Sequence, residues 1–426
     1  MINEEFLQFL WKYKLYSSLN LCTTDGDPVE VIHPGTHNSH AGPDFFNAKI
    51  KIGSTLWAGN VEIHHKASEW NTHMHHTNPA YNNVILHVIT DNDRDVYVEN
   101  GRRVPALVMQ IHDQLKGRYF ELMQNHHWLS CSGNQLQLPE IEQSGWLEAL
   151  LIGRLQERCE KIEQLHVLFN RDWDQVFFVM LSRAFGFGVN NDAFEAMARL
   201  TPVKRLLQHA DNLFQIEAML FGQAGLLDHP VDDVYHQQLA LEYRFLKEKY
   251  ALVSIESFRW KFLRLRPKNF PTIRLAQLAM FIHLHPELTG AVNELQNPVR
   301  LKSCVDLSAG DQWLTRFVFG KTESSSPKHI GLASQHLLLI NAILPFLFAY
   351  GRHRDDQMLQ DRALELMTTL PPERNHITRD WEIQGGIVAD NAARSQALVY
   401  QYNQYCVPRK CLQCKIGLNY LQKAMF

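Results

Sequence analysis

From Gly42 to Trp70 the chain reads GPDFFNAKIKIGSTLWAGNVEIHHKASEW. Apolar side chains fall on alternate positions, Phe46, Ala48, Ile50 and Ile52, up to a break at Gly53. The alternation resumes over Val61-Glu62-Ile63-His64. A period of two is that of a half-buried strand, so two neighbouring strands are expected. Asp44 opens the first and Glu62 lies within the second. Carboxylates fixed on adjoining strands give rigid oxygen ligands, which is what a hard divalent cation such as Mg²⁺ or Mn²⁺ requires.

Working outward, Asn3-Glu4-Glu5 followed by Phe6, Phe9, Leu10 and Tyr13 predicts a capped helix with acids in its first turn. Residues 28–33 predict a short strand, and the Gly-, Asn- and His-rich loop 34–42 leads into Pro43-Asp44. Residues 71–80, NTHMHHTNPA, form a second polar loop. Val84 to Ile89 is nearly all apolar, as expected of a strand covered on both faces. Val96 to Val98, the Asn100-Gly101 turn and Val104 to Ile111 predict a hairpin. Residues 1–133 are thus expected to form a small helix-plus-sheet domain.

Residues 134–426 change to a period of 3.6. Trp146, Leu150, Leu151, Leu155, Cys159, Ile162 and Leu165 mark one long helix face. Further helices are expected near 173–187, 191–199, 212–223, 233–250, 272–284, 333–350, 356–369 and 387–404. The fold class is therefore α+β, with a sheet-containing front and a large all-helical remainder.

The 426 residues exceed one ordinary domain. With 42 basic and 45 acidic residues, no general attraction to nucleic acid or anionic membranes arises, and such binding would need a local patch. The apolar run 336–350 falls short of the roughly 20 residues of a membrane span and contains Asn341 and Pro345, so a core helix and no membrane partner are expected. Residues 1–15 place acids before lysines, the reverse of a secretory leader, and seven cysteines then fit a reducing, cytoplasmic setting.

Three further groups carry chemistry. Twelve of the 22 histidines lie within the first 133 residues, among them His37, His40, His64, His65, His73, His75, His76 and His87. Imidazoles beside a carboxylate suit Zn²⁺, Mn²⁺ or Fe²⁺. Cys406, Cys411 and Cys414 are spaced C-x4-C-x2-C and need one more ligand to close a metal site; Cys131 lies upstream where the two parts meet. Arg259, Lys261, Arg264, Arg266, Lys268 and Arg274 are interleaved with aromatic residues and no acid, a pattern suited to phosphates and stacked bases.

Pro43-Asp44, seventeen residues, then Glu62-Ile63-His64 resembles the Pro-Asp…Asp/Glu-x-Lys signature of the restriction-endonuclease-like nucleases. The order helix, strand, Asp-bearing strand, Glu-bearing strand resembles theirs as well. The resemblance implies metal ligation by Asp44, Glu62 and the Ile63 carbonyl. It puts His64 where the family has lysine, with Lys66 two residues on as a displaced ammonium. Glu5 or Glu30 would match an extra acid that some of those enzymes carry. Cys131 joined to Cys406, Cys411 and Cys414 resembles the iron–sulfur staple of certain nucleases in the same superfamily, although the short last spacing fits Zn²⁺ better. GPDFFNAKI, GNVEIHH, NNVILHVI, FGQAGLL and NFPTIRLAQLA resemble a bacterial family known as a domain of unknown function, number 2851, which implies no activity.

The leading expectation is metal-assisted phosphodiester hydrolysis of DNA or RNA. The alternatives are a histidine-rich metalloenzyme acting on a small substrate, or a helical interaction scaffold without catalysis.

Overall fold

A computed structural model gives the structure of the chain for all residues except 1, 18–19, 126, 133–137, 291–300, 302 and 424–426. The expected division at 133/134 falls outside the described residues. The chain forms two compact units, one of residues 1–142, 383–386 and 402–426, the other of residues 143–382 and 387–401. The C-terminal cysteine segment, expected with the helical part, therefore belongs to the first unit. The reason is burial: Leu412, Leu418, Tyr420 and Leu421 share a core with Phe6, Leu10, Trp11, Leu115 and Tyr119.

In the first unit, helix α1 (Glu4–Tyr13) is capped by Asn3, whose side chain accepts from the Phe6 N–H. Six strands follow: β1 (Val29–His33), β2 (Thr36–His37), β3 (Phe45–Ile52), β4 (Thr55–Ile63), β5 (Val84–Ile89) and β6 (Ala106–Val108). They run in the order β1-β3-β4-β5-β6, with β2 beside β3. β1, β3 and β4 pair antiparallel, whereas β5 lies parallel to both β4 and β6. All six residues of β5 are buried, as expected of a strand flanked on both edges. One sheet face packs on α1, helix α3 (Asp113–Gln124) and the terminal segment. A smaller core of Ala67, Trp70, Tyr81, Val84 and Ile89 includes residues of short helix α2 (Glu69–Thr72) and the turn at Pro79–Tyr81.

Two details of this sheet differ from the sequence pattern. β4 begins at Thr55, six residues before Val61, because Thr55 to Ala58 are exposed and carry no alternation. In β3 the register shifts between Phe45 and Ala48, where Asn47 takes a left-handed φ of 57° and its N–H donates to Asn60 Oδ1. This bulge turns Phe45 inward with Ala48, Ile50 and Ile52, where strict alternation expected Phe46.

In the second unit, helices occupy Trp173–Phe185, Asn191–Leu200, Leu213–Gln223, Val234–Tyr250, Pro271–Leu284, Gln357–Thr369 and Ala392–Gln401, close to the periodicity reading. Two further helices were not expected, Val203–Leu207 in this unit and His376–Gly385, whose last residues are assigned to the first unit. The helix α4 (Glu140–Leu168) buries Leu150, Leu151, Leu155, Cys159 and Ile162 as expected, but at the stripe's ends Leu147 and His166 are buried in place of Trp146 and Leu165. The apolar run belongs to a 22-residue helix, Leu332–His353, longer than expected and apolar enough to cross a membrane by length and composition. It is mostly buried within its unit, with Leu338, Leu339, Ile343, Phe346 and Leu347 at 1% exposure or less.

Pro345 lacks the N–H that would bond the carbonyl of Asn341 one turn earlier. Arg158 takes that place: its Nη1 donates to Asn341 O at 2.8 Å and its Nη2 to Asn341 Oδ1 at 3.0 Å. Burial holds the Arg158 pKa down to about 9. Arg158→Met should cost about 1–3 kcal/mol through the orphaned acceptors. The cost should be smaller in a Pro345→Ala background, where the substituted residue supplies the helical N–H. A double-mutant cycle of urea unfolding checks this coupling.

Candidate functional site

The register Phe45↔Val61, continued one step, sets Asp44 opposite Glu62. Without the bulge Asp44 would face the next residue and the two acids would lie on opposite faces. The acids are locked to each other's backbone. The Asp44 N–H donates to Glu62 Oε2 at 3.0 Å, and the Ile63 N–H donates to Asp44 Oδ2 at 2.9 Å. Gln8 on α1 donates to Asp44 Oδ1 at 2.8 Å, and its Oε1 lies 3.4 Å from His37 Nε2. Glu62 is 4% exposed. Burial, and then the facing Glu62 charge, push Asp44 well above the usual carboxylate range; burial does the same to Glu62.

The other Glu62 oxygen turns toward imidazoles. Oε1 lies 3.1 Å from His75 Nε2 and 3.5 Å from His64 Nε2. His64 follows β4 directly and is fully buried. Its Nε2 lies 3.2 Å from His73 Nδ1, and its Nδ1 lies 2.9 Å from His87 Nε2. Burial and the neighbouring imidazoles hold His64 down to about 2 and His87 to about 3; burial holds His75 to about 4. These rings are neutral at pH 7, the form in which imidazole ligates metals. Tyr81 stacks on His75 with ring centroids 3.8 Å apart. Among the described residues, His64, His73 and His75 form the one group of three metal-ligating side chains whose donor atoms all lie within 4.8 Å of one another.

The residues expected from the sequence separate. Asp44, Glu62 and His64 come together. Lys66 does not join them: its Nζ lies 4.0 Å from Asp91, and both side chains are well exposed. On the first helix the acid near these imidazoles is Glu4, one position before the expected Glu5. Burial raises the Glu4 pKa, with charge effects from His73 and His75. Glu5 instead faces Gln413, 3.4 Å away, and Glu30 is exposed on β1. Gln8, His73, His75, His87 and Tyr81 complete the surroundings. Of these, the spacing His73-x-His75 was a legible signal, whereas Gln8 and Glu4 carry none.

Cys131, Cys411 and Cys414 lie close enough to act on one another's ionisation. Burial first, and then the neighbouring sulfurs, raise Cys131 to about 12 and Cys411 to about 11. Cys406 is half-buried, and none of the seven cysteines is in a disulfide. In the second unit the basic stretch splits. Arg274 is 5% exposed and donates to Gln277 Oε1 and Asn269 Oδ1, with its guanidinium over Phe187. It is an internal structural cation and does not reach the surface, contrary to expectation. Trp260 is buried and donates to Ala224 O, so it offers no stacking face. Arg259 pairs with Glu256, while Lys261, Arg264, Arg266 and Lys268 are exposed.

Residues 4–376 match the family described as "Protein of unknown function (DUF2851)". The chain belongs to this family. No curated protein and no solved structure matches it. The match spans the whole sheet, Asp44, Glu62 and the imidazoles, and it ends before the terminal cysteines.

The acids and imidazoles of this family member act oppositely with pH. Acids with raised values contribute stability fully below their unfolded-chain values, near 4, and that stability is lost as pH rises through the raised values. Imidazoles with lowered values contribute stability above about 6.5 that is lost as pH falls through the lowered values. In chelator, Asp44→Asn should therefore stabilise the protein at pH 7–8 by on the order of 1 kcal/mol, and the gain should vanish near pH 4. Urea unfolding at the two pH values tests this.

Proposed function

We propose that the first unit is a metal-dependent hydrolase of restriction-endonuclease-like design that cleaves phosphodiester bonds in nucleic acid. The observation that carries this reading is the bulge-enforced opposition of Asp44, half-buried, and Glu62, buried, two facing acids whose charged forms a cation would stabilise. The order α1, β1, then β3 with Asp44 and β4 with Glu62 supports it. The donor set fits a divalent ion: two carboxylates on rigid strands, each fixed by a backbone N–H. When bound, such an ion lowers the pKa of its water and neutralises charge on the scissile phosphate. Asp44 and Glu62 would hold the ion, Gln8 would fix the rotamer of Asp44 through its hydrogen bond, and His64 would orient Glu62 from the position that the restriction-endonuclease-like signature gives to lysine. The oxygen of a water that gives up a proton to solvent forms its bond to phosphorus as the P–O ester bond breaks, and the leaving oxygen takes a proton from water.

Lys261, Arg264, Arg266 and Lys268 form an exposed loop that would contact phosphates. Cys131, Cys411 and Cys414, with Cys406, would hold Zn²⁺ or an iron–sulfur cluster as a structural staple. The raised values of Cys131 and Cys411 keep those two thiols protonated without a cation. A second reading, a metalloenzyme acting on a small substrate, is favoured by the three converging imidazoles.

The test is purified protein with Mg²⁺ or Mn²⁺ on single- and double-stranded DNA and RNA. Cleavage should fall by about 10²–10³ in Asp44→Ala and Glu62→Gln, in line with the loss of a group that stabilises developing charge. Wild type cutting no faster than Asp44→Ala on every substrate refutes the nuclease reading. Arg264→Glu with Lys268→Glu should weaken binding and flatten its salt dependence.

A further inference from the structure

Glu62 presents its two oxygens in different directions. Oε2 accepts from the Asp44 N–H, whereas Oε1 faces His64 and His75. The ligand distances of Zn²⁺ to nitrogen and oxygen, near 2.0–2.2 Å, put two ligands of a tetrahedron about 3.2–3.6 Å apart. His64 Nε2 to His73 Nδ1 is 3.2 Å, His64 Nε2 to Glu62 Oε1 is 3.5 Å and His75 Nε2 to Glu62 Oε1 is 3.1 Å. The donor atoms of the three imidazoles all lie within 4.8 Å of one another, and Glu62 Oε1 stands beside two of them. We infer that His64, His73 and His75 form a site for one borderline transition-metal ion such as Zn²⁺, with Glu62 Oε1 beside it.

Independent features support the site. His75 is 7% exposed, and its Nε2 makes no hydrogen bond despite lying 3.1 Å from a carboxylate oxygen. A buried nitrogen whose lone pair has no donor is costly unless a cation meets it. His64 Nδ1 is occupied by His87, which leaves Nε2 as the ligand atom and fixes the ring, the usual arrangement around a metal-bound imidazole. Met74, between His73 and His75, takes a left-handed φ of 63° while 57% exposed. A non-glycine residue in that conformation is strained, and here the kink lies between the two imidazoles that converge. His73 is exposed, so the site opens to solvent on one side. Nitrogen donors of this number select Zn²⁺, Co²⁺ or Ni²⁺ over Mg²⁺.

This inference concerns the ion and its ligands and does not rest on the phosphodiester reading. The probe is Co²⁺ added to chelator-treated full-length protein. In Cys411→Ser, which removes a ligand of the proposed cysteine site, one ion per chain should bind with ligand-field absorption of tetrahedral type, lack thiolate charge-transfer absorption and resist millimolar Mg²⁺. His73→Ala, at an exposed position that folding tolerates, should weaken binding by at least about tenfold while leaving the melting curve of the chelated protein unchanged. His75→Gln should weaken binding likewise. Equal binding by wild type and His73→Ala overturns the inference, as does cobalt that carries the thiolate signature alone and leaves with Cys411→Ser. Absence of any bound ion overturns it as well and leaves the imidazoles as a hydrogen-bonded chain. A failed cleavage assay with cobalt still bound would refute the nuclease reading and leave this site standing.

Discussion

The first unit depends on one constraint, the one-residue bulge at Asn47. A strand places alternate side chains on alternate faces, so a single inserted residue exchanges the faces for everything beyond it. The core uses that exchange at Phe45, and the site uses it at Asp44. Phe45 fills the interior against Val61 while Asp44 turns toward Glu62. The left-handed φ at Asn47 is the local cost, and the Asn60 amide that accepts the Asn47 N–H offsets part of it.

Burial then sets the chemistry. The same layers that cover β5 on both faces exclude water from Glu62, His64 and His87. In that environment carboxylates favour the proton and imidazoles reject it. The result is a set of neutral nitrogen lone pairs beside two acids whose pKa values are raised. Hydrogen bonds from backbone N–H groups hold the acids in place, so the geometry does not depend on the ion. The terminal segment contributes at a distance, since Leu418 and Leu421 lie in the core on which α1 packs, and α1 carries Gln8 and Glu4.

The helical unit shows the same rule applied to structure. Pro345 removes a donor from a buried helix, and an arginine from another helix makes up the loss at the carbonyl of Asn341. Glu217, 1% exposed, accepts from Tyr235 and Trp313, so a buried acid can be a hydrogen-bonded part of a core. Arg274 is the cationic counterpart. Asp44 and Glu62 differ from these groups in facing each other, with neighbouring imidazoles whose lone pairs are not all satisfied.

The sequence by itself determined the α+β class, the strands around Asp44 and Glu62, and most helices of the second unit. Each of these rests on a periodicity that a one-dimensional pattern records. Membership of the DUF2851 family was likewise legible, in phrases such as GPDFFNAKI and GNVEIHH. The tertiary structure alone decided which of many histidines meet, that Glu4 rather than Glu5 faces them, that Lys66 and Arg274 stand apart from the roles expected of them, and that the terminal cysteines return to the first unit. Those outcomes depend on register, on the rotation of a helix about its axis and on contacts between residues hundreds of positions apart. No local pattern encodes them, because they are set by how layers pack to exclude water.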